Sequence, residues 1–189
     1  MLFEIVQMLY WLALAAWFGL VLFGAMATPV VFRTVQDADP TLPTVLSVNL
    51  DGQHSALLSI TIVAQVLARL VWMQVVCAVA LAVALAAQWL LIGSGGGSQV
   101  MFISVIRSAL YLAAVGLLVY GWRVVWPRAA QQRKRYIDNA DNPEEALPAR
   151  DQLTKLQRES EIVQLALATV LSALILFSAN LRPPTSLIG

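Results

Sequence analysis

Charge is what this chain has least of: 12 Lys and Arg with 11 Asp and Glu make 12% of its 189 residues, about half the usual share of a soluble domain. With 59% hydrophobic residues and a mean hydropathy of +0.74, that scarcity excludes a water-soluble fold. One cysteine, Cys77, leaves no intramolecular disulfide to form. One histidine, His54, cannot by itself build a bis-histidine haem or a multi-histidine metal site. The sequence also lacks a glycine-rich phosphate loop, HExxH, CxxC, GxSxG and paired carboxylates within its apolar runs. These absences predict a protein that is not an enzyme and holds no cofactor. A net charge of +1 gives no reason to expect nucleic acid as a partner.

What the sequence does have is length without charge. From Ile5 to Phe32 no side chain is ionisable by Asp, Glu, Lys, Arg or His, a run well beyond the roughly 18 apolar residues that indicate a membrane span. Three more runs follow at 70–92, 100–122 and 162–181, the third span interrupted only by Arg107. In lipid a backbone must satisfy its own hydrogen bonds, so each run is expected to be helical. The predicted architecture is all-α, a four-span transmembrane bundle forming a single integral membrane domain, with spans at about 5–32, 70–92, 100–122 and 162–181 and a long cytoplasmic hairpin at about 123–161. Ala25-Met26-Ala27 resembles a signal-peptidase site, but the segment before it has Glu4 and no basic residue, so a retained span is the expectation.

Orientation follows from the basic residues, which are kept on the cytoplasmic side. Placing the third connection there gathers Arg33, Arg69, Arg123, Arg128, Arg133, Lys134, Arg135, Arg150, Lys155 and Arg158 on one face and leaves Arg107 and Arg182 on the other. Both termini are then non-cytoplasmic, in a membrane of the bacterial inner type. The uncharged connection 93–99 suits a short turn on the translocated side. Trp11, Trp17, Trp72, Trp89, Trp122 and Trp126 are read as interfacial markers near span ends. Pro127 is expected to release or kink the third span. Ser55 to Ile92 has no helix breaker and should form one helix that projects into the cytoplasm, packed on the first connection or a partner, with Arg69 near the membrane surface. Asp51-Gly52 reads as a turn, and Asn142 or Asp151 as a helix cap in the hairpin.

Arg107 is the sharpest oddity, since a charge inside a span costs several kcal/mol unless paired or hydrated. The simpler expectation is that it snorkels to the outer surface; the other is that it lines an anion or solute path. Gln7, Gln74, Gln88, Gln164, Ser172, Ser178 and Asn180 are expected to hydrogen-bond between helices. Small residues, Gly19, Gly24 and Ala27 on the first span and Ala109, Ala113, Gly116 and Gly121 on the third, permit close approach, within one chain or between subunits. Arg69, Arg133, Lys134 and Arg135 are further candidates for partner or anionic-lipid contact. The one cofactor candidate is His54; Met73 and Cys77, four apart, are two soft ligands without a third.

Trp17-Phe18-Gly19 with Ala27-Thr28-Pro29-Val30-Val31-Phe32-Arg33, the third-span exit from Trp122 to Arg128, and Leu156-Gln157-Arg158-Glu159-Ser160 together resemble a four-helix membrane family of unknown function that includes human transmembrane protein 205. The resemblance implies four spans, a long cytoplasmic hairpin and a link to solute or drug tolerance of no established mechanism. The family's histidine before the fourth span has no counterpart here, so no role resting on it carries over. The functional expectation is a non-catalytic accessory or interaction subunit, its partners being the lipid bilayer and other membrane subunits or further copies of itself. The alternatives are a small oligomeric transporter or channel-like protein for a solute, metal or drug, and a cofactor-binding subunit of an electron-transfer or photosynthetic complex.

Overall fold

The computed structural model describes residues 2–38, 53–92, 98–139 and 143–179, and these are almost wholly helical. The helices are α1 (Leu2–Ala38), α2 (Gln53–Ile92), α3 (Ser98–Tyr120), α4 (Trp126–Asp138) and α5 (Pro143–Ala179), with a π-helical turn over Gly121–Val125 joining α3 to α4. Four helical stretches are long and apolar enough to cross a membrane, at Phe3–Ala27, Gln65–Leu91, Met101–Tyr136 and Asp151–Ala179. The all-α, four-span expectation agrees with this architecture.

Each helix turns one stripe inward at alternating three- and four-residue steps, the spacing that keeps side chains on one face. On α1 the stripe is Tyr10, Leu14, Trp17 and Val21; on α2, Ala78, Leu81 and Leu85; on α3, Ala114 and Leu118; on α5, Leu167, Leu171 and Leu174. These buried residues form one continuous cluster. The opposite faces are no more polar: Met8, Leu12, Val76, Val83, Leu112, Leu165 and Leu176 all point outward. Such a surface is stable only in lipid.

Two expectations are corrected by the packing. Trp17 is no interfacial marker; it is completely buried at the bundle centre, edge-to-face with Tyr111 at 6.4 Å between ring centroids. Asp151 does not cap a helix, because α5 starts earlier, at Pro143, where a missing amide hydrogen costs nothing in the first turn. The described part of the α2 extension lies along α1, with Val63, Val66, Leu67 and Leu70 facing Gly24, Ala27 and Val31, while the first connection, on which it was expected to pack, lies outside the described residues. Gly24 makes that approach close: a Cβ there would sit 3.5 Å from Leu70 Cδ1 and 3.6 Å from Gln164 Oε1.

At Pro127 the chain is not released. The preceding π turn widens the helix so that the Trp126 amide donates to the Gly121 carbonyl, five residues back, and the proline enters α4 just beyond it. α4 then runs beside the first turns of α5, where Tyr136, Ala149 and Leu153 form a small separate cluster. The Asp51-Gly52 turn, residues 93–97 of the glycine-rich connection, Asn142, Asn180 and Arg182 lie outside the described residues.

Candidate functional site

The site is a polar knot at one end of the bundle. Because successive helices alternate in direction, the start of α1, the end of α2, the start of α3 and the end of α5 meet there. Gln7 and Tyr10, Gln88, Arg107 and Ser178 occupy these four ends, and each continues the inward stripe of its helix. Arg107 is the centre, with only 1% of its surface exposed. The snorkelling expectation is therefore overturned. The side chain turns into the bundle because α3 places residue 107 one helical repeat before the buried Ala114, on the inward face, where hydrogen-bond acceptors from α2 and α5 are waiting.

Arg107 Nε donates to Ser178 Oγ at 3.1 Å and Nη2 donates to Gln88 Oε1 at 3.1 Å. The guanidinium carbon lies 4.4 Å from the centroid of the Tyr10 ring, a cation–π distance. Arginine has donors and no acceptor, so its position fixes the rest of the chain of bonds. Gln88 must turn its carbonyl oxygen to Arg107, and its amide nitrogen then donates to Gln7 Oε1 at 2.8 Å. Ser178 Oγ gives its one hydrogen to the Leu174 carbonyl at 2.6 Å. The 2.6 Å contact between Tyr10 and Ser178 is consequently donated by the tyrosine. One serine oxygen thus receives two bonds from two other helices and makes one. An arginine at the centre of a span costs about 2.5–3.5 kcal/mol on insertion scales, and these neutral acceptors and the ring face supply part of the solvation that lipid withholds.

Beside the guanidinium is an opening of about 10 Å³ lined by Leu85, Gln88, Trp89, Ser104 and Arg107, room for about one water-sized species. It lies on the seam between α2 and α3. Trp89 spans that seam, its Nε1 donating to Ser108 Oγ at 3.1 Å, and Ser108 in turn donates to the Ser104 carbonyl at 2.9 Å. Deeper in the bundle Tyr111 crosses the same seam to the Ala78 carbonyl at 3.0 Å.

The structure brings together Arg107, Gln7, Gln88 and Ser178 among the residues singled out in the sequence. Ser172 is not interhelical: its hydroxyl donates to Ala168 in its own helix. Gln74 is buried on α2, away from the knot. Arg69, Lys134 and Arg135 are exposed and far along the chain from it. His54 falls in the first turn of α2 rather than in a connection, and its side chain lies outside the described residues, as do those of Thr28, Pro29, Phe32 and Arg33. Among the described residues no three His, Cys, Asp or Glu side chains gather where they could hold a metal ion. Sequence reasoning missed Tyr10 and Ser104, and read Trp89 only as an interfacial marker. The signal for Tyr10 was available, since it stands three residues after Gln7 and seven before Trp17 on one helical face.

The small residues divide. Gly24 and Gly121 face neighbours inside the chain, a Cβ at Gly121 falling 3.7 Å from Val163 Cγ1, whereas a Cβ at Gly19 or Gly116 would meet nothing within 4 Å. Ala109, Ala113 and Gly116 make an exposed strip along α3. The chain matches no known protein family model, no curated protein and no solved structure.

Proposed function

We propose that this protein is a non-catalytic accessory or interaction subunit of a membrane assembly, held in a membrane of the bacterial inner type with both termini on the non-cytoplasmic side. The observation that carries the reading is the division of surfaces on α3. Its hydrogen-bonding residues, Arg107 and Tyr111, are engaged with α2 and α5. Three of its smallest residues, Ala109, Ala113 and Gly116, are turned outward, while Ala114 faces the core. In lipid, where apolar burial gives helices little reason to associate, a smooth strip that lets two backbones approach closely is a principal source of helix–helix attraction. The projecting α4 with exposed Arg128, Lys134 and Arg135 supports the same reading, because it sets a basic surface at the end of the bundle opposite the polar knot.

Extraction in mild detergent followed by native sizing tests this. The wild-type chain should run in a complex with itself or with other subunits, and Gly116→Leu should release it while leaving the monomer folded. A wild-type chain that runs as a lone monomer would defeat the reading. The second reading, a small oligomeric transporter, is supported by one observation, the buried cation of Arg107 beside an opening. A solute flux abolished by Arg107→Gln with sizing unchanged would favour it.

A further inference from the structure

We propose that Arg69 and Arg123 hold the phosphodiester of one anionic phospholipid, such as phosphatidylglycerol, over the indole pair of Trp72 and Trp122, with its acyl chains along the outer face of α2. The proposal goes beyond the assembly reading and does not depend on it. It begins from the two rings. Trp72 on α2 and Trp122 at the end of the third span meet edge-to-face, 6.0 Å between ring centroids, and Trp72 is 63% exposed. Trp72 and Trp89 stand 17 residues apart on α2, about 26 Å at the rise of an α-helix and close to the roughly 30 Å of a bilayer's hydrocarbon core. A ring with an apolar body and one polar N–H belongs at each border of that core, so the pair of Trp72 and Trp122 sits at headgroup level.

The second step is the charge around the rings. Arg123 leans back over Trp122, its guanidinium carbon 5.2 Å from the ring centroid, as a helical side chain tilts toward the start of its helix. The same tilt carries Arg69 outward from the bilayer, since it stands one turn before Trp72 on the same exposed face of α2. Arg123 thus lies at the level of the rings and Arg69 just outside them. Among the described residues neither arginine has an ion-pair partner, and Glu159, a carboxylate at this level on α5, accepts from Tyr120. A guanidinium with one face on a ring keeps its N–H edge for an acceptor, and its planar fork fits a phosphate. Two cations with no carboxylate beside them select an anionic headgroup; an ethanolamine or choline headgroup would bring a further positive charge against them.

The third step is what lies on the bilayer side of the rings. From Trp72, α2 continues its outward face through Val76, Val79 and Val83, 66%, 58% and 64% exposed, at the steps that keep side chains on one stripe. Of the seams between neighbouring membrane-crossing helices, the one between α2 and α3 is the most sparsely packed, and Trp72 and Trp122 stand at its mouth. A soluble phosphate would use the arginines alone. A phospholipid uses the arginines, the rings and the valine stripe together, and that continuity favours the lipid.

The test is native mass spectrometry of the purified full-length chain, equilibrated in detergent with phosphatidylglycerol or with phosphatidylcholine of the same acyl chains. One phosphatidylglycerol per chain should be retained at saturation, about twenty-five-fold more tightly than phosphatidylcholine, at about fivefold for each basic residue near an anionic headgroup. Arg69→Gln and Arg123→Gln should each lower that affinity about fivefold and together bring it to the phosphatidylcholine level. Both side chains are exposed, so the variants should melt with the wild type, and either alone carries the test if the other fails to fold. Lys134→Gln with Arg135→Gln, which removes two exposed cations from α4, should leave the affinity unchanged. Equal retention of the two lipids, an unchanged affinity in the double arginine variant, or an equal loss in the α4 variant would each overturn the proposal, the last pointing to a diffuse basic surface. Displacement of the lipid by excess sn-glycerol 1-phosphate would overturn it too, in favour of a soluble phosphate.

Discussion

Ser178→Ala is the sharpest perturbation of the knot. It deletes one oxygen, and that oxygen accepts from Arg107 Nε at 3.1 Å and from Tyr10 at 2.6 Å while donating to Leu174 within its own helix. Losing the acceptor for a charged donor costs about 1.5–3 kcal/mol, and an interhelical bond of a neutral hydroxyl in a membrane bundle is worth about 0.6 kcal/mol and at most about 1.7. The expected loss is therefore about 2–5 kcal/mol. Ser172→Ala is the matched control on the same helix, because its hydroxyl reaches only the Ala168 carbonyl; deleting such a local bond should change stability by less than about 0.5 kcal/mol. The assay is reversible unfolding in mixed micelles, followed by circular dichroism for wild type and both variants. Tyr10→Phe closes a double-mutant cycle: alone it should cost about 0.6–1.7 kcal/mol, but on the Ser178→Ala background it should cost almost nothing further, since the acceptor has already gone. If Ser178→Ala and Ser172→Ala were equally mild, or if Tyr10→Phe and Ser178→Ala were additive, the hydrogen-bond assignment at Ser178 would be wrong.

Other outcomes follow from the same packing. Gly24→Leu should unfold or loosen the bundle by several kcal/mol, because the Leu70 and Gln164 side chains stand at van der Waals distance from a Cβ there, whereas Gly19→Leu should leave melting of the isolated chain within about 0.5 kcal/mol of wild type. Gln88→Leu removes the acceptor of Arg107 and the donor to Gln7 together; a loss of about 2–4 kcal/mol in the same unfolding assay is expected, and a loss under 0.5 would contradict the bond chain. On a Cys77→Ala background, Lys134→Cys should resist a membrane-impermeant maleimide in intact cells and react after permeabilisation, and labelling in intact cells would invert the proposed orientation.

The amino-acid sequence by itself determined that the chain is a set of membrane-crossing helices, because the cost of placing an unbonded backbone or a charge in lipid leaves long uncharged runs no other structure. Even the long uninterrupted α2 was legible from the absence of any breaker between Ser55 and Ile92. Which face of each helix turns inward was not legible from hydrophobicity. A soluble helix announces its buried face by contrast with a polar one, but here Leu14 and Leu171 inside are matched by Leu12 and Leu176 outside. Arg107 shows the consequence most plainly. Read along the chain, it stood near the end of a span, and a short climb to the surface was the economical expectation. Only the tertiary structure put Gln88 and Ser178, 19 and 71 residues away in sequence, within bonding distance, and so decided that the arginine turns inward. Trp17 likewise belongs to the core because Tyr111 packs against it from another helix. Solvent preference is a property of each residue and can be added up along a sequence, whereas the acceptors that make burial of a cation tolerable exist only after four helices have been brought together.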